Sequence, residues 1–448
     1  METSPYSVKT IFSKNLIFWE CLFFFLGWFL FIGYPILFVD SWRYLASAIY
    51  LGTNQAASVF ASYVLRIPVI LFGPWGWALS QGLMLSYLLQ ASFRQLGLNN
   101  KWTVPILFVT SPIGVAAATV LTDIFCLIGL LSLYLILSGS RSWLVLSLFS
   151  LSFVAHFGNM PLFIVLSFLY WLLFARKNKK IIIRILLAML AGVLAVVLVN
   201  WKLEDQPRLT GNSGWIFLAS RILADSPKLF DDYLETHPNS AWAAGHSTFH
   251  NAIDKIDSQS KRIATILWDK HCLFLGMRGP RNIAREAKSF VFFSIINYPG
   301  LMIKYALINT WNFLKEPDYI HALLRDRTPL DHQVGTAFTQ DMEMAKNSLQ
   351  YSGRLICLVS QDWYIFWYYT SLAACLAMLI YFLAFHKTSL DDPVFQFCCF
   401  SSLALLLNAV FMSNLSGTFG RYQIRVLPLI TIVLCSCYKP FIAKNIKP

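Results

Sequence analysis

The stretch NLIFWECLFFFLGWFLFIGYPILFV, Asn15 to Val39, decides the class of fold. A helix needs about 20 predominantly apolar residues to cross a bilayer, and this run, whose one charge is Glu20, supplies them. It follows Lys9 and Lys14, as a secretory signal would. It is too long for a signal's apolar region, and it ends at Phe38-Val39-Asp40 without a small-x-small cleavage site, so we take it as a retained first span. The next stretch, FVDSWRYLASAIY from Phe38 to Tyr50, places a carboxylate, Asp40, at the end of that run and follows it with an aromatic-rich amphipathic segment.

Composition agrees with a membrane protein. Hydrophobic residues make up 57% of the chain, charged residues only 13%, and mean hydropathy is +0.56, values that a soluble surface of this size does not tolerate. Further spans are expected at Trp77–Phe93, Val104–Leu121, Ile124–Ser138, Trp143–Phe157, Met160–Phe174, Ile181–Val199, Trp363–Phe385, Val394–Met412 and Val426–Ile442. The sequence therefore predicts an all-α polytopic membrane protein of about ten transmembrane helices, with extracytoplasmic amphipathic helices and one long extracytoplasmic segment.

Counting ten spans puts Lys9, Lys14, Arg94, Lys101, Arg141, the run Arg176-Lys177-Asn178-Lys179-Lys180 and the tail lysines on one side. Basic loops stay cytoplasmic, so both termini are expected there, in a multi-pass membrane protein. The same loops account for most of the net charge of +13 and leave no basic stripe for nucleic acid. The chain divides into an N-terminal bundle, 1–200, with a first outer loop at 40–76; an extracytoplasmic segment, 201–362; and C-terminal transmembrane helices, 363–448. Ser289 to Leu314 is apolar again but broken at Asn297-Tyr298-Pro299-Gly300, which predicts one or two helices lying in the interface, with Lys304 snorkelling and Trp311 as an anchor. The stretch ADSPKLFDDYLETHP, Ala224–Pro238, is too acidic and proline-broken to be expected to pack alone. Most of the nine cysteines fall in predicted spans; only Cys272 and Cys357 are expected outside them, and no disulfide framework follows.

Polar groups at membrane depth or at its edge are functional candidates because burying them is costly. Asp40 is either the N-cap of the helix Ser41–Tyr50 or a general base at the outer surface. Asp123 in VLTDIF is expected on the same lip, as a cap or as a second carboxylate that orients an acceptor or shares a cation. His156 in AHFGNMP sits in the next turn on that side. In SNLSGTFGRYQIRVLP, Arg421 and Arg425 flank Tyr422; on a last helix starting near Gly420 they would share one face at its N-terminal end and suit a phosphate, or else snorkel to lipid headgroups. Arg66 in VLRIPVILFGP is a further basic candidate. HSTFH, His246–His250, has zinc-ligand spacing but neither a metallopeptidase glutamate nor an obvious third ligand.

Several stretches carry a resemblance: DSWRYL (Asp40–Leu45), LTDIF (Leu121–Phe125), AHFGNMPL (Ala155–Leu162), WIFLASRILADSPKLFDDYLETHP (Trp215–Pro238), ILWD (Ile266–Asp269) and RYQIRVLPL (Arg421–Leu429). They resemble the polytopic glycosyltransferases of the GT-C superfold, and in particular an uncharacterised bacterial family of GT-C-like membrane proteins. The resemblance implies a sugar taken from a polyprenyl-phosphate donor and moved to an extracytoplasmic lipid, glycan or protein acceptor. It implies that Asp40 acts as base on the acceptor, that Asp123 lies near the acceptor or a divalent cation, and that Arg421 and Arg425 face the carrier phosphate. No paired acid stands beside Asp40, because Ser41 follows where a glutamate is common, so neither a resident cofactor nor a metal is assigned. A lipid or glycan transporter, a glycan polymerase or ligase, and a non-catalytic assembly factor are the competing classes.

Overall fold

The computed structural model describes residues 15–437 except 39, 53–57, 99, 101, 177, 205–208, 210–212, 258, 270–271, 273–279, 316–336, 356–360, 386–390 and 416–419. Of 204, 213, 260, 268, 280–282, 284, 361, 382–383, 385, 420–421 and 437 it describes the backbone alone. The regular elements among the described residues are all helices, as expected, and the one β contact among them is an isolated parallel bridge between Ile36 and Thr119.

The N-terminal half contains α1 (Leu16–Ile32), α2 (Ser41–Tyr50), α3 (Phe60–Val64), α4 (Arg66–Leu96), α5 (Thr103–Thr110), α6 (Ile113–Ala118), α7 (Ile124–Leu137), α8 (Trp143–Ala155), α9 (Asn159–Tyr170) and α10 (Lys179–Glu204). Every residue of α7 is buried. A helix apolar around its whole circumference has no solvent face to offer, so it becomes the axis of the bundle. α4, α8, α9 and α10 pack around it, and α1 lies against α4.

Next come α11 (Ser213–Asp225), α12 (Lys228–Thr236), α13 (His246–Ile253), α14 (Gln259–Trp268), α15 (Pro280–Asn297) and α16 (Pro299–Lys315). The acidic Ala224–Pro238 stretch does not pack alone: Leu229, Phe230 and Tyr233 of α12 form a core with Trp242, Phe249 and Phe290 from the chain that follows. The α12 acids Asp231, Asp232 and Glu235 remain at least partly exposed, while the apolar positions recur at helical spacing on the buried side. The chain closes with α17 (Met342–Lys346), α18 (Gln361–Phe385), α19 (Pro393–Leu415) and α20 (Leu427–Cys437), and α18, α19 and α20 pack on one another.

Among the described residues, three helices are long and apolar enough to cross a membrane: Lys179–Leu203, Asp362–Tyr381 and Pro393–Leu415. Exposed Ile183, Leu186, Leu187, Leu190, Leu194 and Leu198 form one stripe along α10, suited to lipid chains. Against the expected count of about ten, the described residues therefore hold three clear candidates. The number rises to four only if α15 and α16, bent by 102° at their break, form one span. The difference lies in where helices stop. Gly33, at φ 84°, ends α1 in the left-handed region, and the run then continues as non-helical chain through Tyr34–Phe38. The expected span Val104–Leu121 is broken at Ser111-Pro112 into α5 and α6. α7 and α8 are likewise apolar but only 10–17 residues long, while the expected span Val426–Ile442 runs past Cys437 beyond the described residues. The break at Tyr298 makes Ser289–Leu314 the two helices the sequence allowed.

Helices α11, α14 and α16 are tied to α19 by a polar network. Asn309 of α16 donates to Asp225 of α11 at 2.9 Å, Gln259 of α14 donates to the same carboxylate, and Asn309 also reaches Asn414 of α19 at 3.4 Å. Arg221 stands 3.5 Å from Asp225, with both side chains buried. Burial pushes the Arg221 guanidinium down to about 10 and raises Asp225 against the opposing pull of Arg221, Asn309 and Gln259.

Candidate functional site

Two carboxylate-bearing turns are held side by side. The chain after α1 pairs with the chain after α6, Ile36 N–H donating to Ala118 O and Val120 N–H to Ile36 O, each at 2.9 Å. Ser41 Oγ donates to Val120 O at 2.7 Å, and Thr122 Oγ1 donates to the Tyr44 hydroxyl at 3.0 Å. Gln350 clamps the same strand from the far end of the chain, accepting from Leu37 N–H at 3.1 Å and donating to Leu37 O at 2.7 Å. Asp40 precedes Ser41 and Asp123 follows Thr122, so the two acids stand on neighbouring turns.

Neither acid caps its helix. Asp40 and Asp123 occupy the N-cap positions of α2 and α7, yet both have helical backbone angles and neither side chain makes a capping hydrogen bond. A true N-cap needs an extended backbone that swings the side chain back over the first turn. Asp40 instead pairs with Arg43 at 3.4 Å, both half-buried.

Asp123 is the hub of a second group. Its Oδ1 accepts from Arg425 Nε at 2.7 Å and from Arg425 Nη2. Arg425 Nη2 also lies 3.0 Å from His156 Nε2, its Nη1 points at Met412 Sδ, and the guanidinium stands 4.3 Å from the centre of the Tyr422 ring. The Arg425 side chain is 0% exposed and Asp123 15%, so a buried ion pair closes this end of the bundle. Gly158 N–H approaches His156 Nδ1 at 3.1 Å. A guanidinium only donates, and a neutral imidazole accepts at one nitrogen alone, so His156 accepts from either Gly158 or Arg425. A small cleft lined by Ala116, Thr119, Leu121, Ile124 and Ile424 opens onto the pair.

The structure thus brings together Asp123, His156, Tyr422 and Arg425, all chosen from the sequence. It holds Arg66 elsewhere. Arg66 donates to Ala48 O at 2.7 Å and Ile49 O at 3.0 Å, the last carbonyls of α2. It closes the helix that follows Asp40. Arg66→Gln is expected to weaken α2 by up to about 2 kcal/mol, read as faster amide exchange across 41–50; unchanged exchange would refute the capping role. The side chain of Arg421 lies outside the described residues. The expected helix starting near Gly420 is also corrected: Gly420–Gln423 is a 3₁₀ turn, and α20 begins at Leu427, set by Pro428 in its first turn. Arg421 and Arg425 therefore precede the helix and do not share its N-terminal face.

Sequence reasoning missed Arg43 as the partner of Asp40 and Gln350 as the clamp on Leu37. The i, i+3 spacing on an amphipathic helix could have found the first; no local signal marks the second, which lies 313 residues away. No protein-family model, curated protein or solved structure matches this chain, so the likeness to the GT-C superfold rests on the quoted stretches alone.

Proposed function

We propose that this chain is an integral membrane glycosyltransferase of GT-C type, moving a sugar from a polyprenyl-phosphate donor to an acceptor at the outer face of a bacterial inner membrane. The observation that carries the reading is the juxtaposition of an accessible Asp40–Arg43 pair with a turn locked by the buried Asp123–Arg425–His156 group. Such a lip is where a lipid-borne donor and a water-borne acceptor can meet.

In this reading Asp40 takes the proton of an acceptor hydroxyl as its oxygen attacks the anomeric carbon. The bond from that carbon to the phosphate oxygen breaks, and its electron pair leaves with polyprenyl phosphate. Arg425 is buried and already neutralised by Asp123, so we assign it to holding the lip and not to the carrier. Arg43 is the accessible cation for the phosphate, and its turn toward the donor releases Asp40 to act as base. With purified protein in lipid discs and a panel of polyprenyl-phosphate sugars, release of polyprenyl phosphate is expected to fall about 10²–10⁴-fold in Asp40→Asn. Equal release by wild type and variant would remove Asp40 from the chemistry.

One observation favours a transporter as the second reading. α15 and α16 form an apolar pair bent by 102°, and broken helices are common in carriers of lipids and solutes. A transporter would move lipid-linked glycan between leaflets of the same discs and form no glycosidic bond.

A further inference from the structure

A second cluster lies away from this lip, among the outer helices. α13 begins at His246 and places His250 one turn later on the same face. Asp231 of α12 faces them both: its Oδ1 is 2.6 Å from His246 Nε2 and 2.9 Å from His250 Nε2. One ligand atom from each of the three residues falls within 4.8 Å of the others. The sequence offered two histidines at metal-ligand spacing and no third group; the fold supplies it from the neighbouring helix.

The second nitrogen of His250 is occupied as well. Its Nδ1 lies 3.3 Å from Asp254 Oδ1. A proton on Nδ1 donated to Asp254 leaves the Nε2 lone pair aimed at the Asp231 oxygen. Two acceptors stay that close only if a proton or a cation lies between them. A carboxylate behind an imidazole that faces a third ligand is the arrangement that orients metal-binding histidines. The backbone beneath is firmly packed: Phe230 of α12 meets Phe249 of α13 at 4.8 Å between ring centres, and the His246 ring lies 5.8 Å from Phe230. The geometry is therefore held by the core and does not depend on the cluster to form.

We propose that Asp231, His246 and His250 bind one divalent transition-metal ion of the zinc type, clipping α12 to α13. Two imidazoles and a carboxylate suit zinc and disfavour the hard cations magnesium and calcium, which take oxygen donors. Side-chain exposures of 46% for His246, 37% for Asp231 and 25% for His250 leave the ion open to solvent on one side. A water molecule or an external ligand with a donor atom completes the coordination there. This site is independent of the transferase reading, and neither stands or falls with the other.

The test uses the full-length protein, without a histidine tag, purified in detergent, stripped with chelator and offered Zn²⁺. Elemental analysis is expected to find one zinc per wild-type chain and none in the double variant His246→Ala/His250→Ala, while excess Mg²⁺ fails to displace it. Asp254→Asn keeps all three ligands and is expected to bind zinc about 10–100-fold more weakly by calorimetry. Because that variant removes no ligand and no core side chain, its result stands even if the double variant folds poorly. A wild type that takes up no zinc, or a folded double variant that takes up as much, overturns the proposal; unweakened binding by Asp254→Asn overturns the orienting role of that carboxylate.

Discussion

Arg425→Met is expected to cost about 3–5 kcal/mol of stability, because it leaves the buried Asp123 carboxylate without its counter-charge. Arg425 is fully buried and gives its Nε and one terminal nitrogen to Asp123, and the variant removes both donors together with the charge. The cost comes from stranding a charge and not from the net worth of the pair, and this has a second consequence. Asp123→Leu combined with Arg425→Met removes both charges and is expected to cost far less than the single change. Thermal unfolding in detergent, followed by tryptophan fluorescence, measures both. A single variant that melts like wild type, or a double variant that melts below it, would show that the pair does not hold the lip together.

Gly76→Ala is the second large effect. α4 turns sharply at Gly73, where φ is 56° and ψ is −142°, a conformation that only glycine adopts without strain. The fold-back brings Pro68 against Gly76, whose missing Cβ would sit 1.9 Å from the Pro68 carbonyl oxygen. The obstacle is backbone on the same helix, so no side-chain rotation relieves it. The kink must open, and with it moves Arg66, which closes α2 behind Asp40. Loss of at least the about 1–3 kcal/mol typical of an overpacked core is expected, along with lower yield of folded protein. Wild-type yield and melting for Gly76→Ala would mean that this close approach is absent in solution.

Much of the site could be read from the chain because polar residues are scarce in apolar runs. Asp123, His156 and Arg425 stood out for the cost of burying them, and they meet across sequence separations of 269 and 302 residues. The break at Tyr298 was legible for the same kind of reason, since Pro299 and Gly300 disfavour a continuous helix there. The roles were harder to read than the positions. Nothing local distinguishes an arginine that binds phosphate from one that neutralises a distant aspartate, and Arg425 is of the second kind. Span counting failed where apolar composition continues past the end of a helix. Gly33 and Pro112 stop their helices, yet Tyr34–Phe38 and Val120 remain apolar because they are packed inside the bundle. Hydropathy records burial, whether in lipid or in protein, and α7 shows how complete the second kind can be. Asp231 was unreadable as a partner of HSTFH because only the packing of α12 on α13 brings it near.

The most direct test of the transferase reading is a profile of carrier lipids and glycans in membranes from three strains: wild type, a deletion, and one carrying Asp40→Asn with its expression confirmed. The account predicts that one sugar-modified product disappears in both the deletion and Asp40→Asn, while the sugar-charged carrier accumulates. A normal profile in Asp40→Asn beside a defective deletion would contradict it.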